Sequence, residues 1–169
     1  MLAMRNRLQK TDLLTPALLC LAVLLLSSGC ASEMRDPGIQ QVTIKGRTYH
    51  LELALDDASR FQGLSDRAEI AEDGGMLFVF PEAARRQFVM RKCLVPIDII
   101  FLDANGRIVK MHEMPVVPYD TPDSTLVRYS SKYPAQFAIE LAGGQLRQLS
   151  LSEGEKVELP LKSLKERAR

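Results

Sequence analysis

Short, closely spaced runs of strand-forming residues are the feature that most constrains the fold of this 169-residue chain. The first two runs lie in the segment 40–55, where apolar and polar residues alternate on both sides of Lys45-Gly46. Such alternation is typical of strands that bury one face, and a glycine between two of them supplies a hairpin turn. The segment 40–55 is therefore predicted to be a β-hairpin.

Further strand-like runs follow the hairpin at similar spacing. They lie at 76–80, 87–90, 97–103, 107–114, 136–141 and 156–159. Ala104-Asn105-Gly106 is a tight-turn signal, and the segment 115–123 contains three prolines and is predicted to be a long loop. Many short strands with turns between them predict a mainly β, antiparallel, single-domain fold, either a sandwich or a barrel.

Helical signals are few and short. Asp56 or Asp57 can cap a helical turn over residues 58–62, which Gly63 would end. A second short helix is predicted over residues 64–70. One or two short helices are thus expected beside the strands.

The N-terminal segment has the layout of an export signal. Basic residues precede an apolar run over 13–26, which is shorter than the roughly 20 apolar residues that a membrane span needs. Cys30 comes directly after Ser27-Ser28-Gly29, and this arrangement resembles the lipobox of bacterial lipoproteins, in which the cysteine is acylated. An uncleaved anchor, or a plain secretory signal with an incidental cysteine, is the alternative.

The lipobox interpretation divides the chain and places it in the cell. Residues 1–29 are predicted to be the lipoprotein signal peptide, 30–38 a tether, 39–160 the β domain and 161–169 a polar C-terminal tail. Several acyl chains on Cys30 would anchor the protein stably, so an exported lipoprotein facing the periplasm is expected. Ala31 and Ser32 follow without an aspartate, which favours the outer membrane under the enterobacterial sorting rule.

A series of motifs across residues 42–159 resembles one protein family. In chain order the motifs are Arg60-x-x-Gly63-Leu64-x-x-Arg67, the run 75–80, Met90, Pro96-x-Asp98 with the run to 103, the run 106–109, Tyr129-Ser130, Pro134-Ala135, the run 140–143 and Gly154. Together they resemble the domain of unknown function 192 (DUF192) family of bacteria and archaea. The resemblance implies a β-sandwich of jelly-roll type, often behind an export signal, and no established activity.

One stretch departs from the usual pattern of that family. Where the family usually reads Trp-Met-Lys-Asn-Thr, this chain has Val89-Met90-Arg91-Lys92-Cys93. An aromatic residue is missing, and the small polar pair is replaced by a cation and a thiol. If the stretch lines a pocket, the chemistry of that pocket is altered in this chain.

Two carboxylates in apolar strands are candidate site residues. Asp98 would need a cation or several hydrogen-bond donors if it is buried, and Arg60 or Arg67 is expected to reach it as a structural ion pair. A ligand-binding or catalytic role of Asp98 is the alternative. Glu140 is expected to form a salt bridge at an edge strand or to accept from backbone donors. Alternatively, Glu140 and Asp98 form a general acid/base couple of the glycosidase kind.

Metal and thiol chemistry are further alternatives. The run Met111-His112-Glu113-Met114 offers two ligands on each face of a strand, so a copper site would need help from Met90 or Cys93. No metal site and no cofactor is predicted. Met90 is retained as a candidate ligand-binding residue, although a methionine of this kind commonly fills a core. Cys93 is expected to be an inert thiol.

Composition and missing motifs narrow the classes of function. The net charge of +1 gives no electrostatic footprint for nucleic acid, so no nucleic-acid partner is expected. Phosphate loops, zinc spacings and serine-nucleophile elbows are absent from the sequence. We therefore expect a non-catalytic β domain that binds a small ligand or an envelope protein and contacts the membrane through its lipid. A hydrolase of envelope carbohydrate and a copper-handling module are the alternatives.

Overall fold

The computed structural model describes residues 38–169. The predicted signal peptide, Cys30 and the tether as far as Pro37 lie outside the described residues. The elements of the described part, in chain order, are β1 (Ile39–Ile44), β2 (Arg47–Ala54), α1 (Asp57–Gln62), β3 (Gly74–Ala84), β4 (Gln87–Phe88), β5 (Ile97–Leu102), β6 (Ile108–Met114), β7 (Tyr129–Ser130), β8 (Ala135–Ala142), α2 (Gln145–Leu149) and α3 (Leu161–Arg167).

Six strands form one sheet in the order β1-β2-β3-β8-β5-β6, and β4 pairs with β7 in a separate two-stranded sheet. The prediction of a mainly β, sandwich-like single domain with few and short helices is confirmed. The prediction that all strands are antiparallel is wrong, because β2 and β3 run parallel. Parallel neighbours need a crossover connection. The segment 55–73, which contains α1, supplies it and passes over one face of the sheet.

The predicted hairpin is formed by β1 and β2. Ile44 lies opposite Arg47, so Lys45 and Gly46 make a two-residue turn. Both turn residues have positive φ angles, 49° for Lys45 and 79° for Gly46. A tight turn of this kind matches the right-handed twist of the two strands.

The large sheet buries apolar side chains on both of its faces. Consecutive residues of a strand point to opposite faces, so β3 sends Leu77 to one face and Phe78 to the other. We call these the helix face and the pocket face. The helix face is covered by α2 and α3, which contribute Leu149 and Leu164. The pocket face is covered by the segments 57–70 and 85–96, which contribute residues such as Leu64, Met90 and Cys93.

Several elements differ from the sequence-based predictions. Residues 64–70 form turns and bends rather than a second helix, because Asp66 has a φ of 62° that a right-handed helix does not allow. Residues 156–159 form one isolated bridge, between Lys156 and Arg107, instead of a strand. The predicted polar tail is the helix α3, which buries Leu164 completely. The helix α2 was not predicted.

No helix in residues 38–169 combines the length and the apolar character that crossing a bilayer requires.

Candidate functional site

A cavity of about 390 Å³ opens on the pocket face of the large sheet. Small-molecule sites commonly measure roughly 300–1,000 Å³, so this cavity suits a small ligand. Its walls come from three parts of the chain and its floor from β8. The lining residues are Arg60, Phe61, Gln62, Gly63, Leu64, Ser65, Phe78, Phe80, Arg85, Arg86, Gln87, Phe88, Val89, Arg91, Cys93 and Glu140.

Glu140 is a buried carboxyl group at the floor of this cavity. Its residue is only 5% exposed, and its direct neighbours across the two adjacent strands are Met76 and Ile99. Neither neighbour offers a hydrogen bond, and no ion pair or hydrogen bond of the carboxyl group is found among residues 38–169. Burial raises the pKa of Glu140 to about 8. At neutral pH the group is therefore mostly a neutral acid with an O–H to donate.

Gly63 leaves space above the Glu140 carboxyl group. It ends α1 with a φ of 51° and a ψ of −137°, a conformation that is open to glycine and strained for other residues. A Cβ atom at this position would lie 3.5 Å from Cζ of Phe78 and 3.8 Å from Oε2 of Glu140. The absent side chain keeps the end of α1 close to the floor while the carboxyl group stays open to the cavity.

Cys93 lies beside Glu140 and is also buried. Its Sγ is 3.5 Å from the carbonyl oxygen of Arg91. Burial, with a further contribution from the nearby Glu140, raises the pKa of the Cys93 thiol to about 11. The thiol is protonated at neutral pH and is not an activated nucleophile.

Two arginines of the cavity are held by backbone carbonyl groups. Arg60 donates to the carbonyl oxygen of Val79 at 2.8 Å, and its side chain is 9% exposed. Arg91 donates to the carbonyl oxygen of Phe61 at 2.8 Å, and its guanidinium carbon lies 3.8 Å from the centre of the Phe61 ring. These contacts fix the two guanidinium groups in place.

Two further arginines stand nearer to the mouth. Arg86 lies over the ring of Phe80, with 4.0 Å between the guanidinium carbon and the ring centre. Burial lowers the pKa of Arg86, although an arginine remains charged at any physiological pH. Arg85 is exposed, and no ion pair or hydrogen bond of its side chain is found among the described residues. The mouth of the cavity is therefore positively charged.

Three phenylalanines form the apolar wall. The ring of Phe88 makes edge-to-face contacts with Phe78 at 4.9 Å and with Phe80 at 6.5 Å between ring centres. Aromatic pairs of this kind hold their geometry well. The wall is a preformed apolar surface between the neutral acid at the floor and the arginines at the mouth.

Asp98 lies on the helix face, away from the cavity. Its residue is 1% exposed, and its Oδ2 accepts a hydrogen bond of 2.7 Å from the backbone N–H of Leu146. Burial raises the pKa of Asp98, and the bond from Leu146 opposes that shift. Asp98 thus caps the N-terminal turn of α2 from a neighbouring strand, because the N-cap residue Gly144 has no side chain to do so.

The predicted ion pair between Asp98 and an arginine is wrong. Arg67 instead forms two bonds with the carboxylate of Glu52, at 2.6 and 2.7 Å. Arg60 lines the cavity on the pocket face and pairs with Asp57 at 2.7 Å. Both arginines follow β2 over the pocket face, whereas Asp98 points to the helix face, so the sheet separates them.

The predicted catalytic couple of Asp98 and Glu140 is also overturned. Glu140 lies opposite Ile99, and Asp98 lies opposite Leu141, on adjacent strands. Because successive side chains alternate between faces, the two carboxyl groups point to opposite sides of the sheet. They cannot act on one glycosidic bond. Glu140 is not at an edge either, since β8 pairs on both sides.

The remaining candidates are structural. Met90 is 1% exposed within the apolar cluster of the pocket face and does not line the cavity. Nε2 of His112 lies 2.8 Å from the carbonyl oxygen of Ser130, and its ring packs between Phe101 and Tyr129. Within residues 38–169, no group of three or more histidine, cysteine or acidic residues is placed to hold a metal ion.

The stretch that departs from the family pattern does line the cavity, through Val89, Arg91 and Cys93. The departure from the family pattern therefore marks this wall of the cavity. No local pattern marks Arg85 and Arg86, which lie in an irregular connection between β3 and β4 and reach the cavity only through the fold.

Comparison with known proteins identifies relatives with this fold. A crystal structure of a protein from Sinorhizobium meliloti 1021, described as a candidate transcription regulator, is 34% identical and matches with a TM-score of 0.58 over 71% of this chain and 90% of that chain. A protein of unknown function from Novosphingobium aromaticivorans DSM 12444 is 28% identical, with a TM-score of 0.62 over 72% of this chain and 85% of that chain. No curated protein matches.

The family comparison agrees with the motifs found in the sequence. The model of the DUF192 family, described as an uncharacterized ACR, matches residues 40–159. That range contains β1 to β8 except for the first residue of β1, and it includes every residue that lines the cavity. The chain therefore belongs to the DUF192 family.

Proposed function

We propose that this protein is a lipid-anchored protein of the cell envelope that binds a small ligand in the cavity above Glu140 and does not transform it. The observation that carries the proposal is Glu140 itself, a carboxyl group that has no protein partner among the described residues and that opens onto the floor of a preformed cavity. The envelope location and the lipid rest on the signal-like segment that ends at Cys30.

A carboxyl group in the middle of an apolar strand that has no protein partner is unusual in a folded protein. No fully buried side-chain oxygen or nitrogen of residues 38–169 lacks a partner, so the oxygens of Glu140 are open to the cavity. A purely structural position in such a strand would be expected to carry an apolar residue or a bonded one. A ligand in the cavity can take the place of water as the hydrogen-bond partner of this group. Strongly shifted carboxyl pKa values are also concentrated at functional sites. Both arguments favour a binding role for Glu140.

The cavity does not offer the groups that most catalytic mechanisms need. Cys93 is a protonated thiol, and Asp98 lies on the other face of the sheet. No histidine is among the lining residues of the described chain, so no base stands next to a nucleophile. Binding without turnover is the simpler interpretation of this set.

A role in transcription, of the kind named for the Sinorhizobium protein, has less support. The chain has a net charge of +1, and its clustered arginines surround a concave cavity that is too small for a duplex. An export signal would also keep the protein away from DNA.

A ligand screen with matched variants tests the binding proposal. Val89→Trp places a large ring in the cavity wall, where family members usually have tryptophan, and Val127→Trp adds the same ring at a position that is 58% exposed and outside the cavity. We expect some small molecules to raise the melting temperature of the chain from Ser32 onward and of Val127→Trp, but not of Val89→Trp. Hits that stabilise all three proteins equally, or that are chemically converted, would contradict the proposal.

A further inference from the structure

We propose that the cavity selects an amphipathic organic anion, with a neutral hydrogen-bond acceptor at its inner end, a planar apolar body and an anionic group at the mouth. This inference rests on the proposed ligand-binding function and names the class of ligand. It follows from the order in which neutral, apolar and positively charged groups line the cavity from floor to mouth.

The floor of the cavity favours a ligand group that is a neutral hydrogen-bond acceptor. Glu140 and Cys93 are both uncharged at neutral pH, because burial raises the pKa of each group. Ser65 also lines the cavity, and its hydroxyl already donates to the carbonyl oxygen of Arg91. The neutral Glu140 acid is thus a donor without a protein partner, and a hydroxyl or carbonyl oxygen of a ligand would satisfy it.

The aromatic wall in the middle of the cavity favours a ligand with a flat, apolar body. The fixed rings of Phe78, Phe80 and Phe88 form one wall. Phe61 is 70% exposed at the rim, and its ring is held by the guanidinium of Arg91. An exposed phenylalanine loses water contact when a ring or another flat group packs against it, which favours binding of such a group.

The arginines of the cavity favour a ligand that carries a negative charge. Four arginines line the cavity, and within residues 38–169 two of them have a carboxylate partner. Arg60 pairs with Asp57, and Arg91 pairs loosely with Asp123 at 3.4 Å. Arg85 and Arg86 have no carboxylate within ion-pair distance in the described chain. Guanidinium groups bind carboxylate and phosphate oxygens well, and the excess positive charge disfavours a cationic ligand.

A probe series of constant shape tests the charge preference. Para-hydroxyphenylacetate, para-hydroxyphenylacetamide and tyramine share a phenol ring and differ in whether the other end is anionic, neutral or cationic. Binding to the full chain in detergent is measured by equilibrium dialysis, with protein-free micelles as background. We expect the anion to bind on the order of tenfold more tightly than the amide, as one charged hydrogen bond allows, and the amine to bind most weakly. Equal binding of the three probes, or tightest binding of tyramine, would overturn the proposal.

A pair of arginine variants locates the effect. Arg85 lines the cavity, whereas Arg128 is also exposed and does not line the cavity. We expect Arg85→Gln to weaken binding of the anion by roughly threefold to tenfold without changing binding of the amide, and Arg128→Gln to change neither. Identical effects of the two variants would overturn the inference.

The two proposals fail in different ways. Probes that bind equally well to the parent and are lost in Val89→Trp would leave ligand binding in the cavity intact and overturn only the preference for an anion. If none of the three probes binds above the micelle background, the proposed ligand class is wrong, and the wider screen decides separately whether the cavity binds ligands at all.

Discussion

At the scale of single residues, the ionisation of Glu140 ties the stability of the domain to pH. The pKa of this group rises from 4.5 to about 8 on folding, so the folded state binds more protons than the unfolded state between these values. Stability is therefore fully retained below about pH 4.5, falls as the pH rises through this window, and levels off above about pH 8. A shift of this size corresponds to a few kcal/mol.

Replacing Glu140 by glutamine removes the titrating group while keeping its shape. We expect the free energy of unfolding of Glu140→Gln to lack the contribution that the titration of Glu140 makes to its pH dependence between pH 5 and 9. At about pH 9 we expect Glu140→Gln to be more stable than the parent by a few kcal/mol. Urea denaturation at both pH values measures this. Glu69→Gln changes an exposed glutamate and is the control. A Glu140→Gln protein that keeps the full pH dependence of the parent would show that another group is responsible.

The sequence anticipated part of this behaviour. The run Ile139-Glu140-Leu141 correctly marked a carboxyl group inside an apolar strand. It could not show that Glu140 faces a cavity, because that depends on Gly63 and on a wall built from residues 85–93, which are remote in sequence. Nor could it show that Asp98 points the other way, since this follows from the register of β5 against β8.

At the scale of elements, the attachment of α2 depends on Asp98. The helix has five residues and a glycine at its N-cap, so the Asp98 carboxylate provides the cap. We expect Asp98→Ala to destabilise the domain by about 1–2 kcal/mol, as loss of a cap does, and Asp98→Asn to cost less because its amide oxygen still accepts the bond. Chemical denaturation measures both changes.

A double-mutant cycle checks that Asp98 acts through α2 alone. Arg60 and Arg67 lie on the opposite face of the sheet, so combining Asp98→Asn with Arg60→Gln or Arg67→Gln should give additive losses within about 0.5 kcal/mol. A coupling energy clearly above that value would mean that the charges interact across the sheet, contrary to the geometry described above.

Helices were the least predictable elements, for identifiable reasons. The N-cap at Asp56 and the end at Gly63 placed α1 correctly, because both signals are local. The helix expected over residues 64–70 does not form, because Asp66 has a left-handed backbone conformation that no sequence pattern indicates. The helix α2 has no local capping signal, because the side chain that caps it comes from a strand almost fifty residues earlier in the chain.

At the scale of the whole molecule, the proposed envelope location depends on whether Cys30 carries a lipid. If Cys30 is the acylation site, Cys30→Ala should lose palmitate labelling and move from the detergent phase to the aqueous phase on detergent partitioning. Cys20→Ala changes a cysteine within the predicted signal peptide and should label like the parent. Unchanged labelling of Cys30→Ala would refute the lipoprotein interpretation and leave the location of the protein open.

The sequence predicts the class of fold better than it predicts the order and direction of the strands in the sheet. Alternating patterns and turn residues correctly predicted a mainly β domain and the first hairpin, since these depend on neighbours in sequence. The parallel pairing of β2 with β3 and the central place of β8 were not predictable in this way. Which strand lies beside which is decided by long-range packing on both faces of the sheet.

The central place of β8 also sets the order in which the molecule can be completed. Strands β3 and β5 precede β8 in the chain but do not touch each other, because β8 fills the gap between them. Until β8 is in place, both strands have an unpaired edge and the floor of the cavity does not exist. A chain truncated before β8 therefore exposes two strand edges that favour aggregation, and the native sheet closes only when its last strand is available.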